Sequence, residues 1–427
     1  FLWMASTILF SPTPSEAQIT PEVIQALQYR PIGPAVMGGR VSDIAVDHSN
    51  TSTFYVGTAT GGLWKTTNHG ASFEPLFDDQ AVSSIGDVTL SQGNPNLVWV
   101  GTGEPQNRQS SPWGNGVYKS WDGGKTWQHM GLEETHTISR IRIAPQPQAG
   151  TVFVAAVGHL WGPNEERGVY RSLNGGNSWE KVLYVDEFTG AIDLVMDPQD
   201  PRTLYAAMYQ RQRTGYGFNG GGPGSGIYRT MDNGTSWEKL TDGLPDTEMG
   251  RIGLDVFAGD GSIVYAIIEA VEGRGVYRSD DRGDTWVKQS DTNPRPMYYS
   301  QIRVDPTNNK NIWVLGTSLY LSKDGGATFR SDNTARGIHV DHHSMWIDPR
   351  DGNHVILGND GGIHVTYDQG QNWDHLNHVA IGQFYHVAVG PRRDYWVYGG
   401  LQDNGSWGAP QRGPDGRGAL NSDWVSL

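Results

Sequence analysis

The chain has 427 residues, 32 Lys and Arg against 46 Asp and Glu, a formal charge of −14 and no cysteine. Nothing offsets repulsion from phosphates, and no basic run is present, which argues against a nucleic-acid partner. The missing cysteines exclude a disulfide framework, a thiolate metal site and a cysteine nucleophile.

In chain order, Phe1-Leu2-Trp3-Met4 opens an apolar run too short to span a bilayer. Ser15-Glu16-Ala17 then offers a small-x-small cleavage signal. Residues 1–17 therefore read as the remnant of a secretory signal peptide, which places the protein outside the cytoplasm, secreted or periplasmic. No other stretch is apolar enough for a membrane span. A strand is predicted over 27–32, where it would cover an exposed edge by pairing with the last unit.

From residue 41 the chain repeats one grammar. Short strands of alternating or continuous apolar residues come in fours, separated by turn residues. The first unit has strands at 41–47, 53–58, 62–66 and 72–76. The second has 85–90, 97–102, 116–120 and 126–129. The third has 138–144, 151–157, 168–172 and 178–182. The fourth has 191–196, 203–209, 226–230 and 236–240. Units five to seven occupy 252–287, 299–330 and 345–375. Two more strands, at 384–389 and 396–400, belong to an eighth unit. Residues 18–380 thus read as one domain, and 381–427 as the start of a further unit or of a second domain.

The turn between the third and fourth strands carries a motif. In the second unit it is Ser120-x-Asp122-x-Gly124-x-Thr126-Trp127. The Asp side chain accepts hydrogen bonds from its own turn, and the Gly takes a positive φ. The Trp brings a large apolar face to a neighbouring sheet. The pattern recurs from Thr66, Ser172, Thr230, Ser279, Ser322 and Thr366, at spacings of 43 to 58 residues. Seven repeats of this length, built from short strands, predict an all-β chain folded as a seven-bladed β-propeller, one such hairpin per blade. The loops between second and third strands are long at 103–115, 158–167 and 210–225. Length variation concentrates where function is grafted, so a site is expected on the face opposite the Asp-containing turns.

The motif resembles the Asp-box, or bacterial neuraminidase repeat, of sialidases, sortilin-type receptor domains and two-propeller xyloglucanases. The chain looks most like large bacterial sortilin-like or "glycosyl hydrolase" repeat proteins. That resemblance rests on Gly38-Gly39-Arg40-Val41, Gly61-Gly62-Leu63-Trp64, Gly162-Pro163-Asn164-Glu165-Glu166-Arg167-Gly168, Asp341-His342-His343, Asn359-Asp360-Gly361-Gly362 and Gln402-Asp403-Asn404-Gly405. It implies tandem propellers of about twice this length, this chain being the first. In the xyloglucanases one catalytic acid lies in a Thr-Asp-Ile-Gly-Gly motif. The matching stretch here is Thr58-Ala59-Thr60-Gly61-Gly62, with Ala59 in the acid's place. The other family acid comes from the second propeller. The sialidase Arg-Ile-Pro motif is not matched by Tyr29-Arg30-Pro31-Ile32.

Turn geometry accounts for the Asp-box acids, and no catalytic residue is assigned; Asp43, which could face the channel, and Glu104 are the fallback candidates should the chain prove to be an enzyme. Trp113, Trp161, Glu165, Arg167, Arg211 and Tyr216 sit on the long loops, where aromatic faces interleaved with charge suit sugar rings or peptides. Asp341, His342 and His343 form a candidate metal group at the channel mouth, with His342 also a candidate ligand contact. Adjacent histidines in a strand point to opposite sides, so both reach one ion only from a loop. No cofactor is implied. The leading reading is a non-catalytic, secreted module that binds a polysaccharide or a peptide. The alternatives are a xyloglucanase- or sialidase-like glycoside hydrolase completed by a further propeller, and a structural scaffold.

Overall fold

A computed structural model describes residues 32–33, 38–108, 111–145, 150–331, 337–413, 416 and 419–427. The signal-peptide reading of 1–17 and nearly all of the strand expected at 27–32 lie outside them. Among the described residues the chain is all-β, with eight four-stranded antiparallel sheets and one two-stranded ribbon. No helix there is long and apolar enough to cross a membrane.

Seven sheets form a closed succession. Their first strands are Val41–Val46, Ile85–Ser91, Ile138–Ile143, Thr189–Met196, Met249–Val256, Gln301–Asp305 and His342–Asp348. Each packs beside the next, and the seventh packs beside the first. Apolar side chains interdigitate between neighbouring sheets. At the closure Val41, Val46, Phe54 and Val56 of the first sheet bury against Ile356, Ile363 and Val365 of the seventh. Each of the seven sheets takes its strands in chain order, so among the described residues the ring closes without a shared strand, by this packing and by Gly38 N on Gly361 O at 3.2 Å.

The Asp-containing turns are near-identical. Ser120 Oγ donates to Asp122 Oδ1 at 2.8 Å and accepts from Gly124 N at 2.8 Å. Thr126 donates from its N–H to Asp122 Oδ1 and from its hydroxyl to Asp122 Oδ2, at 2.9 and 2.7 Å. Trp127 Nε1 reaches back to Leu76 O of the preceding sheet at 2.8 Å. The turn residues through Trp127 are spent on this geometry. The fourth strand therefore starts later than sequence pattern suggests, at Gln128–His129 in this sheet.

On the channel side, a register shift between Val41 and Asp43 turns Asp43 inward. Equivalent shifts occur at Ile85/Asp87 and Ala191/Asp193. The freed carboxylates reach the next sheet's first strand. Asp43 accepts from Val88 N, Asp87 from Ile141 N, Asp193 from Leu254 N and Asp255 from Val304 N, at 2.7–3.1 Å. These acids stitch neighbouring sheets together across the channel wall.

The eighth sheet is fuller than the two strands expected. Phe384–Val389, Trp396–Leu401, Ser406–Pro410 and Val425–Ser426 pair in order. Without an Asp-box the last two strands carry no strong turn signal. The sheet is tied to the ring through Asn404 Nδ2 on Asp360 O at 3.0 Å and Arg108 Nη2 on Gln402 Oε1 at 2.7 Å.

Candidate functional site

Antiparallel order sends the loops between second and third strands, and the connections between sheets, to the end of the channel away from the Asp-containing turns. Glycines bring the strand ends there into contact. A Cβ on Gly38 would lie 2.3 Å from Gly361 O, and one on Gly39 would lie 1.9 Å from Ile381 O. This backbone apposition delivers Arg40 to Asp360, at the ring closure.

Arg40 donates from Nε and Nη2 to the two oxygens of Asp360, at 2.8 and 2.5 Å, and from Nη1 to Glu104 Oε1 at 3.0 Å. His343 Nε2 lies 2.8 Å from Asp360 Oδ1. All four side chains are buried. Burial raises the Glu104 pKa, against the pull of Arg40 and Arg108. Burial works the same way on Asp360, but His343 and Arg40 outweigh it and hold its pKa below the ordinary carboxylate range. Burial lowers the His343 pKa, against the pull of Asp360. One guanidinium therefore bridges two carboxyl groups displaced in opposite directions.

Above this cluster lies a cavity of about 490 Å³, lined by Arg40, Arg108, Arg213, Arg295, Tyr298, Asp341 and Asp403 among others. A second pocket of about 160 Å³ adjoins Glu104 and Arg211, with walls of Trp113, His136, His159 and Trp161. Trp113 is 67% and Trp161 49% exposed. Trp113 stacks on His136 (6.0 Å between centroids, 23°), and His136 stacks on His159 (3.6 Å, 21°). Glu104 Oε2 is buried without a hydrogen-bond partner at the pocket's base.

The structure thus brings Glu104, Trp113, Trp161 and Arg211 together. Others stand apart. Asp43 lies in a separate channel pocket beside Asp87, Arg140 and Arg303, bound to Val88 N. Arg167 is buried and caged by the carbonyls of Val157 and His159, at 2.8 and 2.7 Å. Its guanidinium is thereby tied to the main chain of the 158–167 loop. Glu165 is exposed, and its carbonyl accepts from Lys181 Nζ. Tyr216 sits fully exposed at the tip of the Gln212–Thr214/Gly217–Asn219 ribbon and lines neither pocket. His342 and His343 open a strand at a register shift, and among the described residues neither joins Asp341 in a group of three possible metal ligands within 4.8 Å. Asp341 instead accepts from the Tyr299 hydroxyl.

Two other groups bring three possible metal ligands within 4.8 Å of one another: Asp341, Asp360 and Asp403, and Glu134, His136 and His159. Asp360 is already committed to Arg40 and His343. Imidazoles stacked at 3.6 Å present their nitrogens side by side rather than converging on one ion. Arg40 and Asp360 lie in two of the glycine-flanked motifs read from the sequence. What pattern reading lacked was their meeting, since 320 residues separate them.

No family model matches the chain. It is 26% identical over 382 residues to a xyloglucanase of Paenibacillus, covering 77% of this chain and 35% of that protein. It is 25% identical over 231 residues to a xyloglucanase of Hypocrea jecorina, covering 46% of this chain and 25% of that protein. The chain thus spans well under half the length of these curated relatives. Among solved structures, a GH74 xyloglucanase from Xanthomonas campestris superposes with a TM-score of 0.65 at 14% identity, over 88% of this chain and 59% of that one. The chain is an all-β propeller protein, similar in fold to the GH74 xyloglucanases and, at low identity, in sequence to xyloglucanases.

Proposed function

We propose that the chain is the polysaccharide-binding propeller of a secreted, glycoside-hydrolase-like protein, and that it holds a glycan across the long-loop face. One observation carries the reading. Two exposed tryptophans, Trp113 and Trp161, flank a pocket that runs beside a polar mouth of about 490 Å³. Flat aromatic faces suit the apolar faces of sugar rings, and a polar mouth suits their hydroxyls. The xyloglucanase relatives support a polysaccharide over a peptide. Retention of the purified chain on immobilised polysaccharides, compared with Trp161→Ala, tests it. Equal migration of both proteins on every polysaccharide ends the reading.

A second reading is hydrolysis. The relatives favour it, and so does the Glu104–Arg40–Asp360 arrangement, since opposed pKa displacements mark an acid and a base in glycoside hydrolases. Against it, both carboxyl groups are buried and bridged by one guanidinium, and Ala59, where related hydrolases carry an acid, is fully buried with its N–H on Arg40 O at 3.1 Å. In this reading the missing carboxylate comes from a further propeller beyond the eighth sheet.

A further inference from the structure

The mouth carries both signs of charge. Asp341 and Asp403 line it. Arg213 and Arg295 line it too, and have no acidic partner among the described residues. Arg213 rests over the Phe218 ring at 4.5 Å, with its Nε buried and unbonded. Arg295 rests over the Tyr298 ring at 4.7 Å. An aromatic face offsets only part of a guanidinium's lost hydration.

Two further guanidiniums lie behind the mouth. Arg211 is buried, with Asn107 Oδ1 at 2.8 Å as its main partner, and Arg251 is buried on Pro105 O at 3.1 Å. Burial, with repulsion from Arg167 adding to it, lowers the Arg211 pKa to about 9. Arg251 is partly offset by Asp193 and Glu269, whereas Arg211 has only the neutral oxygens of Asn107 and Gly158 at hydrogen-bond distance among the described residues, so part of its field reaches the nearest opening. In a chain of net charge −14, so local a positive field points to an anionic ligand group.

We infer that the glycan bound at this mouth is a uronate-bearing polysaccharide, its carboxylates met by Arg213 and Arg295 while its rings lie on Trp161. The inference rests on the polysaccharide reading above. Guanidinium and carboxylate pair through charge-assisted hydrogen bonds, and among the described residues the Arg213 guanidinium is held only by Asn107 O, at 3.4 Å from Nη2. Trp161 is next to Arg213, bridged to it through the main chain. A sugar ring on the indole therefore puts its ring substituents within reach of the guanidinium.

The test compares homogalacturonan oligosaccharides, the same oligosaccharides methyl-esterified, neutral xyloglucan, and a peptide with a free C-terminal carboxylate. Binding is measured by calorimetry on the whole chain, Arg213→Gln and Arg295→Gln, with thermal melts as the folding check. The expected result is binding of the free-acid oligosaccharide alone. It should weaken about tenfold in each variant at unchanged melting temperature, and weaken again in 0.5 M salt. Equal binding of free and esterified forms, or of xyloglucan, overturns the uronate inference and leaves the polysaccharide reading standing. Binding of the peptide alone, or of none of the four, overturns both.

Discussion

The carboxylate of Asp43 accepts a hydrogen bond from the main-chain N–H of Val88, in the next sheet, at 3.0 Å. The contact is part-buried beside Asp87, and desolvation together with that neighbour raises the Asp43 pKa to about 7. A raised pKa means that the folded state favours the protonated acid. The stabilisation is complete below the unfolded value near 3.8 and is lost as pH rises through about 7. Asp43→Asn keeps the acceptor for Val88 and removes the charge. Its stability relative to the parent chain should therefore grow between pH 4 and 8, by on the order of 1–3 kcal/mol. Denaturant titrations at several pH values check this; a difference that is flat across the range means that Asp43 does not titrate there.

The Asp-containing turns carry their stability in the aromatic residue more than in the charge. Trp127→Ala removes a half-buried ring that meets Phe77 edge-on at 5.2 Å and a bond to Leu76 O. The expected cost is about 2–4 kcal/mol. Asp122→Asn should cost under about 1 kcal/mol. The first and third turns already have an amide there: Asn68 Nδ2 donates to Ser72 Oγ and Asn174 Nδ2 to Ser178 Oγ, both at 2.9 Å. Chemical denaturation of the two variants decides it, and equal losses would reverse the assignment.

These turns show which features the sequence carries openly. Ser120, Asp122, Gly124 and Trp127 act within one hairpin or on the adjacent sheet, so spacing alone exposes them. Asp43 lies one step further off. A register shift turns it toward the channel, and its partner is a backbone N–H; no residue pattern reveals either. Arg40 and Asp360 are least legible. Their glycine-rich motifs stand out, yet only ring closure sets the two side chains together. Tyr216 shows the opposite error: a long loop suggests a ligand wall, whereas pairing of Gln212–Thr214 with Gly217–Asn219 carries the tyrosine out into solvent.

Arg40 is predicted to be the most costly site to truncate. Arg40→Met leaves Glu104 and Asp360 buried without their bridge. Breaking such a pair typically costs about 3–5 kcal/mol. Because folded Asp360 has a depressed pKa, its contribution is present above its unfolded value and lost as pH falls through the folded one. The Arg40→Met defect should therefore be largest at neutral pH and shrink in acid. A defect that does not change with pH would show that packing, not charge, is what Arg40 supplies.

Ligand binding should depend on side chains that the fold does not need. Trp161 is about half exposed, so Trp161→Ala should change stability by under about 1 kcal/mol. It should weaken retention on a bound polysaccharide about tenfold, the scale of one lost aromatic platform. Tyr216→Ala, at the solvent tip of the ribbon, is the matched control and should change neither. Affinity electrophoresis separates the outcomes, and a Tyr216 effect equal to that of Trp161 would move the binding surface outward along the ribbon.

The chain by itself should not hydrolyse xyloglucan. A glycosidase needs two carboxyl groups about 5–10 Å apart on either side of one bond, and space for the sugar between them. Glu104 and Asp360 are the candidates with opposed pKa displacements, but the space between them is filled by Arg40, at 3.0 Å from one and 2.5 Å from the other. Moving the guanidinium aside would leave two buried carboxyl groups uncompensated. Asp341 and Asp403 are better exposed to the mouth, yet Asp341 is held by Tyr299, and both lie on the same side as Asp360. In the hydrolase reading the opposing acid is supplied by a further domain. Reducing-end assays on the chain alone and on a longer form carrying any downstream domain separate the two readings. Turnover by the longer form that Glu104→Gln abolishes would make this propeller half of an active site. Turnover by the chain alone that survives Glu104→Gln but not Asp403→Asn would place the acid at the rim and overturn the argument from the Arg40 bridge.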